Sequence, residues 1–131
     1  MLQHHLLPEL RRYRLVRSAV FMQDGAPPHI GKQMKEFLTT QFFQARVISR
    51  HFDIPWPARS PDLNPCDFWL WGALKYEVYQ TKPTTLDELK MRIVEAANHI
   101  TPAQVTLAVN NLFGRIDLMI GNDGGLFEQL L

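Results

Sequence analysis

At 131 residues the chain is long enough for one domain with a real core, and its 46% hydrophobic and 21% charged content excludes a disordered polymer. A single cysteine, Cys66, excludes an intrachain disulfide and any cysteine-based metal cluster. The net charge of +1 argues against a strong general polyanion binder, but the charges are unevenly spread. Residues 1–60 hold nine Lys/Arg against four acids, a net +5, and residues 61–131 hold five against nine, a net −4. Such asymmetry marks either a nucleic-acid face or an ordinary solvated surface. No apolar run is long enough to span a bilayer, and the N-terminus, Met1-Leu2-Gln3-His4-His5, lacks the charged-then-apolar order of a signal peptide.

In chain order, Leu2, Leu6, Leu7 and Leu10 recur at helical spacing and predict a short amphipathic helix over 2–13, with Pro8 in its first turn. Val16, Val20 and Phe21 predict a strand over 15–22. Pro27 and Pro28 end it, because neither can donate a ladder hydrogen bond. Ile30, Met34, Phe37 and Leu38 then line one face of a helix over about Pro28–Gln41. Arg46-Val47-Ile48-Ser49 predicts a second short strand, and His51 to Pro55 a loop. Ser60-Pro61 and Asn64-Pro65 each place a capping residue before a proline, the way helices begin, and the second pair predicts a helix running toward Tyr79. Its aromatics, Phe68, Trp69, Trp71, Tyr76 and Tyr79, are expected in a core rather than stacked on bases.

The last third reads as helical. Thr85-Leu86-Asp87-Glu88 and Thr101-Pro102-Ala103-Gln104 are capping boxes. Leu86, Leu89, Ile93, Ala97 and Ile100 form one apolar stripe, and Val105, Val109, Leu112, Ile116 and Ile120 a second. Two antiparallel helices joined by a tight turn follow, the second ending at Gly121-Asn122. A Gly124-Gly125 turn and an apolar tail, Leu126 to Leu131, close the chain.

Two acids stand out by position. Asp24 follows a strand on a turn into a helix, where chemistry is common in open sheets carrying helices. Asp67 lies in the first turn of the helix that Asn64 caps. Forty-two residues separate them, enough for helix, strand and loop to bring the second beside the first. Converging carboxylates suit Mg2+ or Mn2+, which prefer hard oxygen ligands. Both positions also have a purely structural account: Asp-Gly is a good turn, and an acid in a first helical turn complements the helix dipole.

The motifs Gln23-Asp24-Gly25-Ala26-Pro27-Pro28-His29 and Trp56-Pro57-Ala58-Arg59-Ser60-Pro61-Asp62-Leu63-Asn64-Pro65-Cys66-Asp67-Phe68-Trp69-Leu70-Trp71-Gly72 resemble the catalytic domain of mariner-type (Tc/mariner superfamily) DDE/D transposases. Lys75, Tyr79 and the Gly124-Gly125-Leu126-Phe127-Glu128 ending also resemble insect members, so the likeness runs from about Leu15 onward. It implies an α/β chain holding part of a ribonuclease H-like fold, its last two strands with flanking helices, followed by a C-terminal helical pair. One partial domain is expected over 1–131, with the catalytic-domain half over 1–80 and a helical extension over 81–131.

The family chemistry is metal-dependent DNA cleavage and strand transfer, in which three acids hold two divalent ions. By motif position Asp24 resembles the second acid and Asp67 the third, both catalytic and metal-binding with Mg2+ or Mn2+. Asp62 matches a structural position, and His29 one near the site that is not a metal ligand. Arg46, Arg50 and Arg59 are candidates for DNA phosphate contacts. The resemblance further implies transposon-end DNA as partner, a nuclear location and room for a homodimer, with neither a membrane nor a small-molecule substrate. The spacing between the two acids is longer than in many relatives. Nothing upstream of Asp24 offers the first acid or a helix-turn-helix region, so the chain is expected to be inactive alone, with an exposed sheet edge that favours association. The alternative is a non-enzymatic transposase remnant acting as a nucleic-acid- or protein-binding module.

Overall fold

A computed structural model describes residues 2–125; the Leu126–Leu131 tail and the end of the Gly124–Glu128 motif lie outside the described residues. The described residues are α/β and mostly helical, with one two-stranded parallel sheet among them. It divides into two compact units, Met1–Arg59 and Ser60–Leu131. The division falls where the charge changes sign, so the first unit carries the net +5 and the second the net −4. Among the described residues no helix is long and apolar enough to cross a membrane.

In the first unit a wide π-type turn, Leu2–Leu6, runs into helix α1, Leu7–Arg12, with Pro8 in its opening turn. The strand expected over 15–22 is only Phe21–Met22, β1. Arg14 takes a left-handed conformation (φ 57°), and the Leu15 N–H donates back to the Leu10 carbonyl at 2.7 Å. Ser18 and Ala19 in turn donate to Leu15, so the stretch that its β-formers assign to a strand is spent closing the helix end. The expected helix from Pro28 is likewise split. Pro27–His29 is a 3-10 turn, and α2, Lys32–Gln41, starts afresh after Gly31, which sits in extended backbone.

Strand β2, Val47–Ile48, pairs with β1 in parallel, Phe21 opposite Val47 and Met22 opposite Ile48. The ladder continues through the Gln23 N–H, which donates to the Ile48 carbonyl at 3.0 Å. Leu7, Leu38, Phe42 and Val47 form the buried core, with Met34 and Phe37 packed against it from the predicted face of α2. The Phe21 and Phe42 rings meet at 5.3 Å between centroids. Asp24 is therefore the second residue past the end of a strand whose face is held by this core.

In the second unit Pro61–Leu63 forms a 3-10 turn and Cys66–Leu70 a π-type turn that continues into α3, Trp71–Val78. Helix α4 spans Leu86–His99 and α5 spans Pro102–Gly121, with Asn122 as the C-cap. The Thr101–Gln104 box is fully reciprocal. In the other, Thr85 Oγ accepts from the Glu88 N–H, but the Glu88 carboxylate reaches back one residue further, to the N–H and hydroxyl of Thr84.

The expected antiparallel pair does not form chiefly by its own packing. Helix α4 lies against α3, and α5 against the Pro61–Leu63 turn. Two arginines hold this arrangement. Arg92 on α4 donates to the carbonyls of Val78 and Thr81, and Arg115 on α5 donates to the carbonyl of Asp62. The buried positions shift accordingly, to Ala96 on α4 and Ala108 on α5, while Leu86, Ile93, Val105, Val109 and Ile120 of the predicted stripes are exposed. The aromatic expectation is also corrected: Trp71, Tyr76 and Tyr79 are at least half exposed, because only one side of α3 meets α4.

Candidate functional site

The end of β1 builds the surroundings of Asp24. Its Oδ1 accepts from the Ala26 N–H at 3.1 Å, closing a turn in which the His29 N–H then donates to the Ala26 carbonyl at 2.8 Å. The same Oδ1 lies 2.5 Å from His29 Nδ1, which carries the hydrogen because a carboxylate oxygen only accepts. Among the described residues no donor reaches the other oxygen, Oδ2. Both side chains are partly exposed, 43% for His29 and 35% for Asp24, so the pair opens to solvent.

Behind it sits Gln23, which is buried. Its Nε2 donates to the His29 carbonyl at 2.8 Å and to Ser49 Oγ at 3.2 Å, and Ser49 is itself buried just past β2. Both amide hydrogens are used, which offsets the cost of burying that polar group. The expectation that His29 lies near Asp24 fits this geometry. The parts played by Gln23 and Ser49 have no local signal, since they arise only when the two strands pair.

Asp67 is held in its own unit. Asn64 Nδ2 donates to its Oδ2 at 2.8 Å and Trp71 Nε1 to its Oδ1 at 3.1 Å, so residues three before and four after it fix the carboxylate plane. Asn64 Oδ1 accepts from the Cys66 N–H at 3.1 Å, fulfilling its expected capping role. Asp67 is exposed, and each of its oxygens retains lone pairs for a further partner. Cys66 lines an apolar cavity of about 210 Å³ together with Trp69, Leu70, Val105 and Ala108. Desolvation raises its thiol pKa, and the neighbouring Asp67 charge adds to the shift. Asp62 is buried, and its carbonyl accepts from Arg115, whose guanidinium also lies 3.9 Å over the Phe68 ring. Asp62 is thus enclosed within the packing of the second unit.

The three candidate arginines differ. Arg50 is exposed and passes its Cδ 3.6 Å from where a β-carbon on Gly25 would stand, so its side chain borders the Asp24 turn. Arg46 donates to the Ser18 carbonyl at 2.8 Å and ties two loops together. Arg59 is exposed, in a left-handed conformation with φ 57°. Asp24 and Asp67 belong to different units. Among the described residues no three His, Cys, Asp or Glu side chains converge into a cation cluster. Individually, Oδ2 of Asp24, without a donor among the described residues, and the oriented carboxylate of Asp67 are hard oxygen donors of the type that Mg2+ and Mn2+ take.

No family model matches the chain. It is 32% identical over 126 residues, 95% of its own length, to the transposable element Tc3 transposase of Caenorhabditis elegans. It is 41% identical over 63 residues, 47% of its length, to the transposable element Tcb2 transposase of Caenorhabditis briggsae. The matched stretches are 35% and 19% of those two proteins, so the chain spans about a third of the length of the first and about a fifth of the second.

Proposed function

We propose, for a chain that belongs to the Tc1/mariner type of transposases, a part in metal-dependent cleavage and strand transfer of transposon-end DNA in the nucleus. The observation that carries this reading is a likeness running along 95% of the chain, over a stretch that contains both acid-bearing motifs. On this reading β1, β2 and their flanking helices belong to a ribonuclease H-like sheet. Asp24 and Asp67 are two of its three acids. Asp24 offers Oδ2, which no donor reaches among the described residues, and Asp67 a carboxylate held by Asn64 and Trp71. Divalent ions, when bound, supply activation of the attacking oxygen and stabilisation of the leaving one. The basic first unit supplies the phosphate contacts, with Arg50 beside the Asp24 turn the best placed.

The test is Mn2+ binding by the purified chain, followed by electron paramagnetic resonance, together with duplex DNA binding at several salt concentrations. Asp24→Asn and Asp67→Asn are each expected to weaken Mn2+ binding, and DNA affinity to fall steeply with salt. Unchanged Mn2+ binding in both variants overturns the metal assignment.

A second reading, a binding module without catalysis, is favoured by the lack of any three convergent ligands among the described residues. The two part on one measurement. Salt-sensitive DNA binding with no Mn2+ binding supports the module. Mg2+-dependent cleavage that Asp24→Asn abolishes excludes it, and also overturns the expectation of an inactive chain.

A further inference from the structure

We propose that Trp71, Lys75 and Tyr79 on α3, continued by Lys82, form a stacking surface for the bases of single-stranded DNA. The inference rests on the reading that the chain acts on DNA. It goes beyond that reading by naming the form of the strand and the side chains of the second unit that take it.

The rings that sequence patterning assigns to a core lie at the surface, Trp71 at 50% and Tyr79 at 56% exposure. With Lys75 between them they stand four residues apart, so the three fall on one ridge of α3 in the order ring, cation, ring. The ridge borders an apolar cavity of about 330 Å³, lined also by Leu74, Val78 and Leu89, in which Lys75 is the one charged lining residue. A second depression shares Tyr79 and Leu89 with the first and adds Lys82, again with no acid in its lining. This surface is held in shape without a ligand. Trp71 Nε1 is bonded to Asp67, and Arg92 donates to the carbonyls of Val78 and Thr81, on either side of Tyr79. Side chains already held in place lose little freedom when a partner binds.

The second unit is acidic as a whole, so the local charge decides what can approach. Glu88 is spent on Thr84 and Arg92, and Asp87 pairs with Lys90. Glu77 follows Lys75 by two residues, which puts it on the other side of the helix. Among the described residues no acid pairs with Lys75 or Lys82. Asp67, one turn before Trp71, repels a phosphate at that end, which places the strand's backbone toward Lys75 and Lys82. Rings alternating with unpaired cations match a polymer that carries flat bases on an anionic backbone. The strand must be unpaired: in a duplex each base face is covered by its neighbours, and surface rings have nothing to stack on. Because every base has such a face, the surface tolerates any sequence.

The test compares a thymidine oligonucleotide of about sixteen residues with a duplex of the same length, each titrated against the full chain at several salt concentrations. We expect the oligonucleotide to bind and to quench tryptophan fluorescence. Tyr79→Leu should lose about tenfold in affinity for it, the scale of one base–ring stack, and Tyr79→Phe, which keeps the ring, should bind as the wild type does. Lys75→Met should lower the slope of log affinity against log salt by about 0.7, the share of one phosphate contact on a single strand. Duplex affinity should stay unchanged in all three variants. Equal oligonucleotide binding by Tyr79→Leu and the wild type overturns the proposal, as does an equal loss in Tyr79→Phe and Tyr79→Leu. So does a parallel loss for the duplex. A chain that binds the duplex but not the oligonucleotide overturns this proposal and leaves the DNA reading standing, whereas a chain that binds neither overturns both.

Discussion

The indole N–H of Trp71 donates to Oδ1 of Asp67 at 3.1 Å, one turn further along the same helical stretch. The acid is thus gripped by its own helix, between Asn64 before it and Trp71 after it. Trp71 is 50% exposed, so its ring also contributes packing, and the substitution that isolates the bond must keep an aromatic ring. Trp71→Phe keeps the ring face and removes the donor. It should cost about 0.5–1.5 kcal/mol in urea unfolding, the net worth of one hydrogen bond, and weaken Mn2+ binding if Asp67 is a ligand. A stability loss above about 3 kcal/mol, the range of large core truncations, would instead make the indole a structural anchor.

The core of the first unit is small and depends on few side chains. Leu38 is fully buried among Leu7, Phe42 and Val47. Leu38→Ala should destabilise by about 2–5 kcal/mol through lost transfer energy and the cavity left behind. Leu107 on α5 is 71% exposed, and Leu107→Ala should stay within about 0.5 kcal/mol. Denaturant midpoints for the two variants check the contrast. The comparison is made at a protein concentration low enough to keep the chain monomeric, and a large Leu107 effect there would mean that this side chain packs within the fold.

Acid should loosen the start of α4. The Thr84 hydroxyl and N–H, then Arg92, hydrogen-bond the Glu88 carboxylate and hold its pKa at about 2, below its ordinary 4.5. The folded-state pKa is depressed, so the stabilisation is present above about 4.5 and is lost as pH falls from there through about 2. Glu88→Gln should flatten that part of the pH–stability curve, read by helical circular dichroism. An unchanged curve would show the carboxylate to be equally well solvated in the unfolded chain.

Helix α5 presents Leu107 and Phe113 at 71% and 65% exposure, and α4 adds Leu86 and Val94. Apolar surface of this extent on a purified chain favours self-association. Sedimentation should show mass rising with concentration, and Leu107→Gln with Phe113→Gln should reduce it. A wild-type chain that stays monomeric across the concentration range would refute this.

Much of the second unit was legible locally. A Thr-Pro-x-Gln box states its own helix start, because every partner lies within three residues, and Thr101 and Gln104 pair as read. Asn64 as a cap and Pro8 in an opening turn have the same short-range basis. The failures came where a longer reach won. Glu88 chose Thr84 over Thr85. The run from Leu15 was drawn back to Leu10 by a left-handed Arg14 that no glycine announced. Apolar periodicity marked α4 and α5 as amphipathic but not which side would be covered. On the covered side Arg92 and Arg115 reach carbonyls on other elements, partners that periodicity does not reveal.

The sequence by itself determined the two acid-bearing motifs, the charge division and the helix starts at Leu86 and Pro102, since each is written in residue type and short spacing. Only the tertiary structure decided the surroundings of Asp24. The bond from Gln23 to Ser49 spans 26 residues of sequence and exists because β1 and β2 lie side by side. Hydrogen bonds need atoms within about 3 Å and good alignment, and for residues so far apart only chain folding supplies both.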